Sequence, residues 1–170
     1  MPNVTSRASI IAALLAIGCI GALLGQSNPK AAPSPKFTQL SREDSTRLDQ
    51  QRAVVAAAAK QRYGTAALTR TKGDLPVLQK LIDDRVFNKS QTYELESLGV
   101  AFGDVLASEL PLRWVIITDE FGTDPTLRFK NMDVNVNPVT MISKRVQRDE
   151  HVNVSELLRI TREQLARYEK

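Results

Sequence analysis

The chain has 170 residues, 42% of them hydrophobic and 25% charged, and a formal charge of +4. That is room for one ordinary domain of roughly 100 to 150 residues plus a tail, at a composition that sustains a packed core and excludes wholesale disorder. Basic and acidic residues are interspersed and aromatics are only 5%, which excludes the focused basic patch with stacking rings that nucleic-acid binding calls for. A single cysteine, Cys19, and a single histidine, His151, exclude an intramolecular disulfide and Cys-based metal clusters and weaken most His-based catalysis.

The first element in chain order is the uncharged run "ASIIAALLAIGCIGALL", Ala8 to Leu24, preceded by Arg7. As a helix it would reach roughly 26 Å, slightly short of the roughly 30 Å hydrocarbon layer. Three fates fit it. It is a signal peptide cleaved before Asn28, with small residues Gly25 and Ser27 where the peptidase reads. Or it is a retained single anchor. Or it is lipidated at Cys19 within "AIGC", although the apolar "IGALLG" that follows is unlike a lipoprotein. Charges on both flanks leave the orientation open. Each fate places the rest of the chain outside the cytoplasm. "SNPKAAPSPK" then reads as a stiff proline-rich spacer.

A helix is expected from Ser41, its cap, to Tyr63, with acids in the first turn and Gly64 as the stop. Leu48, Val55, Ala59 and Tyr63 form its narrow apolar stripe. Asp74 is expected to cap a shorter helix, "LPVLQKLIDDR", with Pro76 tolerated in the first turn. A third and central helix covers about Gln91 to Glu109. Its core face is Leu95, Leu98, Phe102, Val105 and Leu106, and Gly99, Gly103 and Ala107 line a smooth groove for close packing on a sheet.

"LRWVIITD" reads as a strand with both faces partly covered, "EFGTDP" as a turn containing Gly122 and Pro125, and "TLRFK" as the returning strand. "DVNVN" supplies a third strand with Val134 and Val136 inward. Asn137 is expected to cap a helix opened by Pro138, and Ser155 a last helix with the stripe Leu157, Leu158, Thr161, Leu165 and Tyr168. The fold class is α+β: a small antiparallel β-meander packed against several α-helices, preceded by an N-terminal hydrophobic helix. The chain divides into a signal peptide or membrane anchor (1–27), a proline-rich linker (28–40), an amino-terminal helix with its connection (41–74) and an α+β domain (75–170).

Three motifs, "LGVAFGDVLASELPLRWV", "DEFGTDPTLRFK" and "NPVTMISKRV", together resemble the bacterial family catalogued as domain of unknown function 3806, over roughly Leu75 to Leu165. The resemblance implies a small α+β domain, often behind a signal or membrane segment, and brings no activity. Gly99, Gly103, Asp104, Glu109, Trp114, Asp119, Gly122, Asp124, Pro125, Arg128, Ser143 and Lys144 match its motifs, with no role assigned. Pro111 stands where a glycine-like turn residue is expected.

Five residues are candidates for binding: Glu109, Arg113, Asp119, Asp124 and Arg128. Glu109 falls in the apolar sector at the end of the third helix and needs a partner, for which Arg113 and Arg128 are the candidates. Such a pair is structural in most proteins and ligand-reading in others. Asp119, Glu120 and Asp124 surround the hairpin turn, where Asp is ordinary turn chemistry and lacks the spacing of a calcium loop. His151 reads as a solvated loop residue, and adjacent Ser143 and Lys144 do not form a Ser-x-x-Lys pair. Gly99, Gly103, Trp114, Gly122 and Pro125 read as structural. No catalytic set, metal cluster or cofactor motif is visible. The expectation is a non-enzymatic, membrane-targeted binding module of the cell envelope whose partner is another protein or an envelope component. The rivals are an envelope hydrolase using the acids near the hairpin and a module that self-associates, as a homodimer, through the 41–63 helix.

Overall fold

The computed structural model describes residues 34–65 and 67–169. The apolar leader, with the three fates considered for it, lies outside the described residues, as does most of the spacer. No helix among the described residues is long and apolar enough to cross a membrane.

The end of the spacer is not a linker: Lys36–Thr38 forms strand β1. Helix α1 (Arg42–Tyr63) starts on a capping box, in which the Ser41 hydroxyl accepts the Asp44 N–H and the Asp44 carboxylate accepts the Ser41 N–H, both at 3.0 Å. It stops at Gly64, whose φ of 67° needs no Cβ. Leu48, Val55 and Ala59 are buried and Tyr63 partly so, along the expected stripe, and α1 lies on helix α3 (Thr92–Glu109). Between them runs α2 (Leu75–Asp83), which ends two residues short of the expected Arg85. Asp74 stands at the N-cap of α2, as expected, but its side chain makes no capping bond there. Its carboxylate accepts the Thr69 and Arg70 N–H groups at 2.8 and 2.7 Å and the Thr69 hydroxyl at 2.9 Å. It therefore folds the preceding loop, which gives a buried carboxylate more donors than a cap would.

Helix α3 occupies the centre. Every residue from Leu95 to Val105 except Glu96 is buried, and so is Leu106. The single apolar face expected from periodicity is only part of this. α1, α2, α4 (Val139–Gln147) and the sheet all touch α3, and the Gly, Ala and Ser positions between the large residues are where neighbours come closest. A Cβ on Gly99 would overlap the Val139 carbonyl oxygen and lie 2.5 Å from that of Pro138; one on Gly103 would lie 2.5 Å from the Trp114 ring. The groove thus seats the start of a helix as well as a side chain of the sheet.

Pro138, not Asn137, is the residue at the N-cap of α4. Asn153, not Ser155, caps α5 (Val154–Ala166), its side chain accepting the Glu156 N–H at 2.9 Å. Leu157, Leu158, Thr161 and Leu165 are buried on α5, while Tyr168 lies beyond its end and is exposed.

The sheet is antiparallel in the order β1-β2-β3-β4, with β2 Leu112–Asp119, β3 Gly122–Phe129 and β4 Asn135–Val136. The turn is shorter than "EFGTDP". Asp119 pairs with Gly122, so Glu120 and Phe121 alone connect the strands and Pro125 lies within β3, opposite Ile116. Gly122, at φ 133°, absorbs the strained conformation. β4 pairs only with Leu127 and Arg128. Among the described residues the hairpin half of β3 therefore keeps an edge on that side, and Pro125 offers a foreign strand no N–H there. Alternation assigns Leu112, Trp114, Ile116, Leu127, Phe129 and Val136 to the face against α3.

One carboxylate is buried in the middle of α3. Asp104, 7% exposed, accepts Arg52 Nε and Nη2 at 2.6 and 2.7 Å and the Trp114 indole N–H at 2.9 Å. Burial pulls the Arg52 guanidinium down, but the bonds and charge of Asp104, with those of Asp49, outweigh it and leave its pKa above the ordinary value.

Gly99→Ala drives a methyl group into backbone that cannot yield. It should lower stability by about 1–3 kcal/mol, read as a lower urea midpoint at unchanged slope. Arg52→Leu strands the Asp104 carboxylate and should cost about 3 kcal/mol in the same measurement.

Candidate functional site

The strand register sorts the five anticipated residues. Positions 113, 115, 117 and 119 of β2 share the face turned away from α3, and their partners on β3 are Arg128, Thr126, Asp124 and Gly122. Arg113, Asp119, Asp124 and Arg128 therefore stand on one face of one hairpin, the arginines at the open end and the aspartates near the turn. Over the length of the strands the two ends lie roughly 15–20 Å apart.

Between them the face is apolar and closed. Val115 and Ile117 are 3% and 9% exposed and Thr126 is fully buried. Thr126 donates its hydroxyl to the Val136 carbonyl at 2.8 Å and accepts the Asn135 amide at 3.1 Å. Phe37 of β1 joins this face opposite Ile117, and the Arg128 guanidinium lies 4.4 Å from its ring centre. That contact spans the intervening β2 and carries cation–π attraction.

The two arginines differ. Arg128 is anchored: Nε donates to the Met132 carbonyl at 2.7 Å, and Nη2 to the Asn131 carbonyl at 2.9 Å and to Asp133 at 3.1 Å. It holds the turn between β3 and β4. Arg113 sits directly opposite it, exposed, with no ion pair or side-chain hydrogen bond among the described residues. Like charges opposite each other on neighbouring strands repel, so Arg113 contributes nothing visible to the fold. At the other end, the Asp119 carboxylate accepts the Phe121 N–H at 2.8 Å, which is turn chemistry, and Asp124 is exposed.

Glu109 does not join this set. It pairs at 3.8 Å with Arg162 of α5, not with Arg113 or Arg128. The buried acid of α3 is Asp104, and nothing in periodicity marks it as such. The only sequence signal is a carboxylate set among glycines and apolar residues on a central helix. Trp114 and Gly103 serve that same buried contact, and Gly122 and Pro125 shape the hairpin. Ser143 is buried while its neighbour Lys144 is exposed, and His151 is exposed. Among the described residues no cluster of three or more His, Cys, Asp or Glu side chains is placed to hold a metal ion.

Glu96, near the amino end of α3, is partly buried. Burial, and then the charge of Asp124, raises its carboxyl above the ordinary range. A raised carboxyl keeps its proton in the folded state at pH values where the unfolded chain has lost it. Stability therefore falls as pH climbs through that window, and the ionised side chain remains a penalty above it. Glu96→Gln should raise the urea midpoint at pH 7. The gain should vanish at about pH 3.5, below the ordinary glutamate range, and Asp124→Asn should reproduce part of it.

Residues 74–157 match the family model described as "Domain of unknown function (DUF3806)". No curated protein matches the chain. A crystal structure from Bacteroides thetaiotaomicron is similar in fold, with a TM-score of 0.67 over 75% of this chain at 16% identity; this chain spans 47% of the length of that one. The family match opens at Asp74, runs through α2, α3, the hairpin and α4, and ends in the first turn of α5. Over residues 74–157 this chain belongs to the family described as a domain of unknown function, DUF3806.

Proposed function

We propose that the protein is a non-enzymatic binding module of the cell envelope, targeted there by the Ala8–Leu24 segment, and that its partner docks on the outer face of the β2–β3 hairpin. The observation that carries this is Arg113: an exposed guanidinium, unpaired among the described residues, set against a second arginine in a cross-strand position that disfavours it. Tolerated repulsion of that kind is relieved when a partner brings acidic groups, and Asp124 at the far end asks for basic ones. A partner with the opposite charge order would be steered into one orientation.

The hydrolase alternative needs Glu109, Asp119 or Asp124 to act together with Arg128. Glu109 is engaged with α5 and Arg128 with backbone carbonyls of its own turn, so they do not converge. The self-associating alternative needs the apolar stripe of α1, and that stripe is buried within the chain.

The test is affinity capture from envelope extracts with the wild type and an Arg113→Glu/Asp124→Lys variant. Arg128 is left in place because it holds a turn. The specific partner should fall about tenfold or more in the variant's catch. Identical catches from both proteins would overturn the reading.

A further inference from the structure

Between α1, α3 and the loop that precedes α2 lies a cavity of about 340 Å³, the size of a small-ligand site. Its apolar wall includes Ala53, Ala56, Leu68 and Ala101, and its polar wall Asp49, Arg52, Arg70 and Asp104.

The two arginines of that wall are bonded differently. Arg52 is committed: Nε and Nη2 donate to Asp104 and Nη1 to Asp49 at 2.9 Å. Arg70 is not. Among the described residues its exposed guanidinium comes no closer than 3.5 Å to Asp49 Oδ1 and 3.9 Å to Asp104 Oδ2, so its five N–H groups are left without a short bond. Spare acceptors stand beside these spare donors. The buried Asp104 Oδ2 accepts only Arg52 Nε, and Asp49 Oδ2 accepts no bond among the described residues, whereas a carboxylate oxygen can accept two.

The loop fixes Arg70 at this wall. Its backbone is left-handed, at φ 58°, a conformation that costs arginine more than glycine. The buried Asp74 carboxylate holds it there by accepting the Arg70 N–H at 2.7 Å and the Thr69 N–H at 2.8 Å.

With Asp74 answered by its loop donors, two arginines face two aspartates and the polar wall carries no surplus of either sign. A ligand of one net charge would set an unanswered charge beside the buried Asp104. A small zwitterion keeps the balance and fills both sets of spare groups, its carboxylate accepting from one side and its ammonium donating to the other.

The geometry points to a binding site for a free aliphatic amino acid, with its carboxylate on Arg70, its ammonium on Asp104 Oδ2 and Asp49, and its side chain on Ala53, Ala56, Leu68 and Ala101. The site is built by helices and a loop, and it does not depend on the function proposed for the hairpin face.

Three probes titrated into the full chain test the inference: leucine, isocaproate, which is the same skeleton without the amine, and isoamylamine, which lacks the carboxylate. Calorimetric heat is one readout. The other is the fluorescence of Trp114, the chain's one tryptophan and itself a donor to Asp104. Leucine should bind with a millimolar Kd or tighter, and both analogues about tenfold or more weakly. Arg70→Gln should weaken leucine binding about tenfold, and Ala56→Leu, which fills the cavity, should abolish it, both at the urea midpoint of the wild type. Lys144→Gln, a loss of charge elsewhere, should leave it unchanged. No binding of leucine, binding of either analogue as tight as that of leucine, or undiminished binding by Arg70→Gln would overturn it.

Discussion

A carboxylate in the centre of α3 ties the layers of the domain together. Asp104 accepts two bonds from Arg52 of α1 and one from the Trp114 indole of β2, so one side chain links the outer helix, the central helix and the sheet. Taking a charge out of water costs several kcal/mol, and the return on a buried ion pair is seldom large. What the contact contributes is register. Turning α1 by one residue rotates Arg52 about 100° away from Asp104, and shifting β2 by one residue sends Trp114 to the opposite face. Arg70 and Asp49 border the same pair, with Arg70 Nη2 3.5 Å from Asp49.

The geometry of α3 follows from the same demand. A helix touched by three other helices and a sheet has almost no solvent face along its middle, and only small side chains allow that many neighbours to come close. Gly99 admits the first turn of α4 and Gly103 admits Trp114. Among the described residues α3 packs on one face of the sheet, and the other face carries Val115, Ile117, Thr126 and Phe37. On that face Arg128 reaches across β2 to the ring of Phe37. That is why four charged residues chosen from sequence end up on a single surface while the fifth, Glu109, lies on the helix side.

The amino-acid sequence by itself determined the local elements. Helices α1 and α3 were legible to within a residue or two because caps, alanine propensity and apolar period are all written within a few positions of one another. Strand β2 was legible because both of its faces are apolar, and the family because three short motifs occur together. The grouping of Arg113 with Arg128 and of Asp119 with Asp124 was implicit in a hairpin once its register was known. The turn length set that register, and it was shorter than "EFGTDP" implied because Gly122 takes the strained φ and lets β3 begin there.

Tertiary structure alone decided which carboxylate is buried. Asp104 and Glu109 lie on one helix, and local pattern favoured Glu109 as the acid in need of a partner. The choice depends on where Arg52, 52 residues away in sequence, and Trp114 arrive, and on α5 bringing Arg162 to Glu109. The same holds for β1, a three-residue strand that exists only because the edge of β2 is there to pair with it. It holds also for Asp74, whose donors come from a loop and not from the helix it precedes. Period and propensity act over one or two turns of chain, whereas burial of a polar group is settled by whichever donors the rest of the fold brings to it.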